Sequence, residues 1–287
     1  MSAVPEGART VDELAPAPGS RMIALDVDGT LMTPDGFISS ETRALVAALR
    51  DAGTRVVLAT GRPLVAALPV AYDLGLEGGW VVASNGSVTA RAEGPEGFTL
   101  DETITFRAGG ALEVILRHMP DITVAIEEVG VGYWVNAQFP DRTIMGRQTV
   151  HDLELLSDLD TTRLVAVDTA RPAPEFTADV ASLGLALTHF SIEETSWMDV
   201  APRGVSKASA LDRLRERFGV APEATTAVGD GGNDLEMLRW AGRGVAMGHA
   251  SAEVVAAADD ITGSILDDGV ATVLRDLLDE VTAAGPA

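Results

Sequence analysis

One phrase recurs near the start of this chain and again toward its end: a short apolar run, then an acid, hydroxyl or amide beside glycine, then residues at helical spacing. MIALDV (Met22 to Val27) runs into Asp28 and Gly29, and SSETRALVAALRDAG follows, opening on Ser and Glu, carrying Leu45, Val46 and Leu49, and closing on Gly53. RVVLAT, PLVAALPVAYDLG and GWVVASNG continue the phrase as far as Gly86. Apolar runs bounded by turn residues read as strands buried on both faces. Strands alternating with helices require a parallel sheet with right-handed crossovers. The rhythm resumes at SWMDVAP (Ser196 to Pro202), then gives a helix over 205–218, the strand TTAVGD, a helix over 233–241, GVAM and a terminal helix over 267–282.

Between these halves the texture changes. FTLDETITF, ITVAIEEV and GYWVNAQF read as half-buried strands, with helices near 108–118 and 173–183, the pattern of an α+β domain. The expected fold is therefore α/β: a doubly wound parallel-sheet core of residues 21–87 and 192–287, with an α+β domain inserted at 88–191. The Ala-, Pro- and Gly-rich residues 1–20 are expected to form a disordered extension.

Composition excludes several classes of function. A formal charge of −22 repels phosphate backbones and anionic lipid, and the densest arginine cluster, LDRLRERFG, is broken by acids and reads as a solvated helix face. Nucleic-acid and membrane partners are not expected. The chain has no Cys, hence no thiol nucleophile or disulfide. It also has no signal-peptide pattern and no apolar stretch near the ~18 residues of a membrane span, so a cytoplasmic protein, monomeric or weakly dimeric, is the expectation.

In an open parallel sheet, ligands bind beyond the carboxyl ends of the strands. Asp26 and Asp28 lie there after the first strand, Thr60 after the second, Asn85 after the third, and Asp230, Asn233 and Asp234 after a later one. Asp26 and Asp28 have equal parity and can face one side, with Gly29 permitting a sharp turn. Four carboxylates on one rim repel by about 1–4 kcal/mol per pair at 4 Å, so the empty cluster is expected to hold a proton or a cation. An all-oxygen set points to Mg2+. The single lysine, Lys207 in RGVSKASAL, would add a compact ammonium near a helix start, where anions are favoured.

DVDGT (Asp26 to Thr30), Thr60, Lys207 and GDGGND (Gly229 to Asp234) resemble, in order, the four motifs of the haloacid dehalogenase superfamily, phosphatase branch. SNGS, the insertion after it, RGVSKASAL and GVAMGHA resemble its Cof-type, type IIB subgroup. The resemblance implies an Mg2+-dependent phosphomonoester hydrolase acting on a small phosphorylated metabolite such as a sugar phosphate. By it, Asp26 is the nucleophile that becomes an aspartyl-phosphate, and Asp28 is the general acid and base. Asp26, the Asp28 carbonyl, Asp230 and Asp234 serve the metal. Thr60, Gly61, Lys207 and Asn233 bind the phosphoryl group, and the insertion is a cap. A sugar phosphomutase would share the phospho-Asp step; a phospho-acceptor signalling domain would share the acidic cluster but not the motif order or the insertion. Ser87 and His249 stand where the subgroup commonly has Ala and Asn, and His249 is read as an exposed loop residue. In the insertion, Tyr133 and Trp134 read as core; Arg142, Arg147, Gln148 and His151 read as surface.

Overall fold

Alternate residues of an extended strand point to opposite faces, and the first strand shows what that achieves here. In β1 (Met22–Leu25), Ile23 and Leu25 join one core with Val46 and Leu49 of α1 (Ser40–Asp51). Met22 and Ala24 join another core with Val57 and Ala59 of β2 (Arg55–Ala59). Both cores are sealed by helices, so the sheet has no wet face along β1. The computed structural model describes residues 20–94, 97–140, 144–168, 187–192 and 195–283. All but the last residue of the expected extension, and the helix expected near 173–183, lie outside these.

The remaining elements follow in order. Helix α2 (Leu64–Asp73) passes through Pro69 without ending. Strands β3 (Trp80–Ala83), β4 (Val88–Gly94), β5 (Gly97–Thr103) and β6 (Phe106–Arg107) lead to α3 (Ala108–His118). Then come β7 (Thr123–Glu128), β8 (Gly132–Val135), β9 (Arg147–Val150), α4 (Leu153–Ser157), β10 (Asp160–Thr161), β11 (Leu164–Asp168), β12 (Leu187–Ile192) and β13 (Thr195–Val200). The last part holds α5 (Lys207–Phe218), β14 (Thr225–Gly229), α6 (Leu235–Trp240), β15 (Arg243–Ala246), α7 (Ala252–Val255), β16 (Asp260–Ile261) and α8 (Gly269–Ala283).

Among the described residues one sheet has the order β16-β15-β14-β1-β2-β3-β4-β5, parallel from β16 to β3 and antiparallel from β3 to β5. From β1 the chain winds outward through β2 and β3 on one side, then through β14, β15 and β16 on the other. The carboxyl ends of β1 and β14 therefore flank a topological switch point, where such sheets leave a crevice.

The second sheet has the order β12-β13-β11-β7-β8-β9. Val124 and Ile126 of β7 pack with Leu112 and Ile115 of α3, while the alternate residues Ala125 and Glu127 take the opposite face. The sheets change at different residues from those the sequence suggested. Residues 88–103 extend the first sheet, because β4 and β5 form an antiparallel edge whose half-exposed pattern looks like an insert strand. SWMDVAP, expected to resume the parallel core, contributes to β13, antiparallel to β11 and β12. An apolar run alone does not say which sheet will pair with it. No described helix is long and apolar enough to cross a membrane.

Candidate active site

Asp26, the residue after β1, is buried at the switch point. The parity that puts Met22 and Ala24 on the α5 side continues to Asp26, toward the start of α5. Lys207 is the first residue of that helix, behind Ser206, whose hydroxyl caps it in a reciprocal box with Ser209. The Lys207 side chain is 0% exposed, and Nζ donates to Asp26 Oδ1 and Asp234 Oδ1, each at 2.6 Å. A buried ammonium is tolerable only with such partners. Gly86 helps to place it: at φ +100° a Cβ there would overlap the Ser206 carbonyl.

Asp234 is fixed from its other oxygen. Oδ2 accepts the backbone N–H groups of Asp230 (3.0 Å) and Gly231 (2.9 Å), closing the GDGGND loop on itself. Gly229 is needed in that loop because a Cβ would meet the Asp234 carboxyl. Asp230 completes the cluster, with Thr30 Oγ1 donating to Oδ1 at 3.1 Å. Oxygens of Asp26, Asp230 and Asp234 lie within 4.8 Å of one another. Gly29 has φ +82°, and a Cβ there would run into the Asp230 carboxyl.

Charge in this cluster is unbalanced. Burial pushes the Asp26 carboxyl up to about 8, Asp234 adds to the rise, and Lys207 opposes it. Burial and Asp234 also raise Asp230, against Thr30 and His249. Burial works against the charge on Lys207, but Asp234 and Asp26 outweigh it, so its ammonium titrates above the ordinary range. Three carboxylates and one ammonium carry a formal charge of −2. A hard divalent cation fits such an all-oxygen set and would remove the excess.

Asp28 does not join this cluster. Its carboxylate is half exposed and clasped by Arg62, with Nε to Oδ2 at 2.7 Å and Nη2 to Oδ1 at 2.5 Å. The expected rim of four carboxylates is thus three, plus a separate ion pair. Thr60 is buried at the end of β2 and accepts the Arg62 N–H through Oγ1 at 3.1 Å. Gly61 leaves room for the amides of Asn85 and Asn233, which a Cβ would approach to 3.1 and 3.2 Å. Asn233 Nδ2 donates to Asn85 Oδ1 at 2.9 Å, so its amide ties two loops and does not cap the following helix. Ser84 and Asn85 both have positive φ, 48° and 54°, a strained pair at the end of β3.

Sequence reasoning missed two further partners. Arg62 was submerged in a GRP helix start. His249 is the exposed loop residue expected, but it also faces the site: Nδ1 accepts the Ile265 N–H at 3.3 Å, leaving the proton on Nε2, which faces Asp230 Oδ2 at 3.4 Å. A subgroup departure beside a carboxylate was the available signal for it. Of the insert residues, Tyr133 is buried under Arg163, Arg147 pairs with Glu128, Gln148 bonds the Phe139 backbone, and His151 lies against Trp134; Arg142 lies outside the described residues. A cleft of about 340 Å3 opens beside Lys207 and Asn233, with Asn85, Ser206 and Pro202 on its walls.

Known proteins resemble this chain over most of its length. Residues 23–274 match the family model of the haloacid dehalogenase-like hydrolases. A 5-amino-6-(5-phospho-D-ribitylamino)uracil phosphatase of Bacillus subtilis is 29% identical over 89% of this chain and 94% of its own length. A pyridoxal phosphate phosphatase of Escherichia coli is 28% identical over 88% and 96%. The crystal structure of a haloacid dehalogenase-like hydrolase from Bacteroides thetaiotaomicron superposes with a TM-score of 0.74 at 26% identity, covering 90% of this chain and 99% of the other. With an acidic triad and a buried lysine at the switch point of a doubly wound sheet, the chain belongs to the haloacid dehalogenase-like hydrolase family, in its phosphatase branch.

Proposed function

We propose that this chain is an Mg2+-dependent phosphomonoester hydrolase that works through an aspartyl-phosphate on Asp26. The observation that carries the reading is the fully buried Lys207, held between Asp26 and Asp234 beside Asp230 in a cluster short of positive charge. An anionic phosphoryl group can enter only where that shortage is corrected. Asp26, Asp230 and Asp234 would hold Mg2+ with the Asp28 carbonyl, and the ion would neutralise phosphoryl charge.

In the first step an Asp26 oxygen bonds to phosphorus as the ester P–O bond breaks, and the leaving oxygen takes a proton from Asp28. In the second step Asp28 takes a proton from water, the water oxygen attacks phosphorus, and the Asp26–phosphorus bond breaks. Dividing one displacement in two lowers each barrier. Arg62 holds Asp28 by two hydrogen bonds, which sets its position in both steps. Thr60, Gly61, Lys207 and Asn233 receive the phosphoryl oxygens.

The cleft volume and the relatives support a small phosphorylated metabolite, with a sugar phosphate as the proposed class. Phosphate release from a panel of phosphorylated metabolites, with Mg2+ and beside Asp26→Asn, tests this. Turnover of at least one member by the wild type alone is expected. Folded wild type no more active than the variant on every member would refute it.

A further inference from the structure

The most deeply placed link between the two sheets is one side chain. Glu127, on the β7 face opposite α3, is 6% exposed. Its Oε2 accepts Ser84 Oγ at 2.7 Å and Thr162 Oγ1 at 2.8 Å, Oε1 is buried without a hydrogen-bond partner, and the Leu64 backbone at the start of α2 lies close enough to favour the charged carboxylate. Thr162 belongs to the second sheet's side, whereas Ser84 and Leu64 belong to the first. Close contacts flank the link: a Cβ at Gly130 would enter the Phe98 ring, and one at Gly146 would stand 3.0 Å from Val65.

The reason for an acceptor at this point lies in α2. The first N–H groups of a helix have no partner within it, and an N-cap side chain normally accepts one of them. Here the N-cap is Pro63, which offers no side-chain acceptor. Glu127 brings a carboxylate close to this end from another sheet, placing negative charge where the helix favours it. The other core partner, Ser84, is the first of the two strained residues after β3, and its N–H donates to the Arg62 carbonyl at 2.8 Å. Asn85 N–H donates in turn to the Thr60 carbonyl at 3.1 Å. The loops 60–64 and 84–85 are thus laced together, and Glu127 holds both.

Burial raises the Glu127 carboxyl, opposed by Arg163, Ser84, Thr162 and Leu64. Arg163 is itself held by both oxygens of Asp199, at 2.6 Å each, and by Tyr133 OH at 3.0 Å. It does not turn to pair with Glu127 directly: two hydroxyl donors reach Glu127 Oε2, Oε1 is buried without a hydrogen-bond partner, and the Ser84 donor on the first sheet is lost if the sheets part.

We propose that Glu127 is a positioning residue of the active site supplied by the second sheet: by accepting from Ser84 and placing its charge beside the start of α2, it sets the loops that present Asn85 to Asn233 and Arg62 to Asp28. The site then reaches its working geometry only while the second sheet is docked. The activity arm of the test rests on the phosphatase reading; the exchange arm does not.

The experiment compares the wild type with Glu127→Gln, Ser84→Ala and the control Glu128→Gln, whose side chain pairs with Arg147 at the surface. Amide exchange is followed by NMR, and phosphate release from the best substrate of the panel gives kcat and KM. In Glu127→Gln, exchange at Leu64, Val65, Ser84 and Asn85 is expected to speed about 5-fold or more, the loss of the charge beside the helix start, with β1 and β14 amides unchanged. The kcat should fall about 10-fold or more while KM moves less than about 3-fold. Ser84→Ala should reproduce both effects in part and decides the matter if Glu127→Gln does not fold. Glu128→Gln should change neither.

Unchanged loop exchange in a folded variant overturns the proposal, and so does faster exchange with unchanged kcat. A wild type without phosphatase activity would remove the reaction assigned above, and loop exchange alone would then decide whether Glu127 holds the two loops.

Discussion

Asp26→Asn is expected to abolish turnover and to stabilise the metal-free fold. Burial, then Asp234, lifts the Asp26 carboxyl from 3.8 to about 8, with Lys207 opposing. The folded pKa thus lies above the unfolded one, so folded chains keep a proton over a range in which unfolded chains have released it. Stability from this group is greatest below pH ~4, falls as pH rises to ~8, and is flat beyond. Counted to pH 7 at about 1.4 kcal/mol per unit, the loss is on the order of 4 kcal/mol. Asn does not titrate and, like the protonated carboxyl that the folded wild type keeps below pH ~8, offers Lys207 a neutral oxygen. The variant should therefore be more stable by on the order of 4 kcal/mol at pH 7, with the gap closing toward pH 4. Urea unfolding of both proteins in EDTA across this range measures it, provided the denaturant slopes agree. Mg2+ should then narrow the gap, because ligand at 100 times Kd adds about 2.7 kcal/mol to the protein that binds it. A variant no more stable than wild type at pH 7 in EDTA, or a gap independent of pH, would refute the assignment of stored charge to Asp26.

Four further changes probe the rest of the site. Lys207→Arg keeps the charge but asks a planar fork to fill a fully buried slot between two carboxylates, so it should fold with reduced stability and lose most of its phosphate release. Asp28→Asn should alter urea stability by less than about 1 kcal/mol, because its pair with Arg62 is half exposed, yet lower kcat by about 10²–10⁴. Gly29→Ala, at φ +82° with its Cβ against Asp230, should cost more than about 1 kcal/mol and weaken Mg2+ binding measured by calorimetry. His249→Ala frees Asp230 Oδ2 and should weaken the same binding by about 10-fold; unchanged affinity would show that His249 does not orient that carboxylate.

What was legible in the sequence followed from periodicity. The apolar parity of β1 puts Asp26 at a strand end on the α5 side, and the helical pattern after Ser206 puts Lys207 on the first turn facing it. Asp230 and Asp234 were legible because a glycine loop after an apolar strand leaves the acids little choice of place. Strand parity carried past Leu25 puts Asp28 with them, but β1 ends there and the turn that follows sends the Asp28 carboxylate to Arg62. The Asn85–Asn233 pair and the His249–Asp230 contact were not legible for the same reason: each side chain leaves a loop, and loop dihedrals have no period. The sheet boundary differs from the expected one because β5, half exposed at the edge, has the texture of an insert strand though it pairs with β4, which pairs with β3.

Two buried ionic groups carry more acid than base, and they resolve it differently. In the first, Asp26, Asp230 and Asp234 exceed Lys207 by two charges, and no neutral donor set removes an excess of that size; it calls for a divalent ion. In the second, Asp199 and Glu127 exceed Arg163 by one, and hydroxyl donors meet it at Glu127 Oε2, one of them, Ser84, from the first sheet. A hydrogen bond to a charged group contributes about 1.5–3 kcal/mol net. Parting the sheets would cost that bond but return Glu127 to water, which lowers the cost of keeping its charge. The two terms oppose each other, so in the proposed role of Glu127 the link holds the site in register without locking the sheets together.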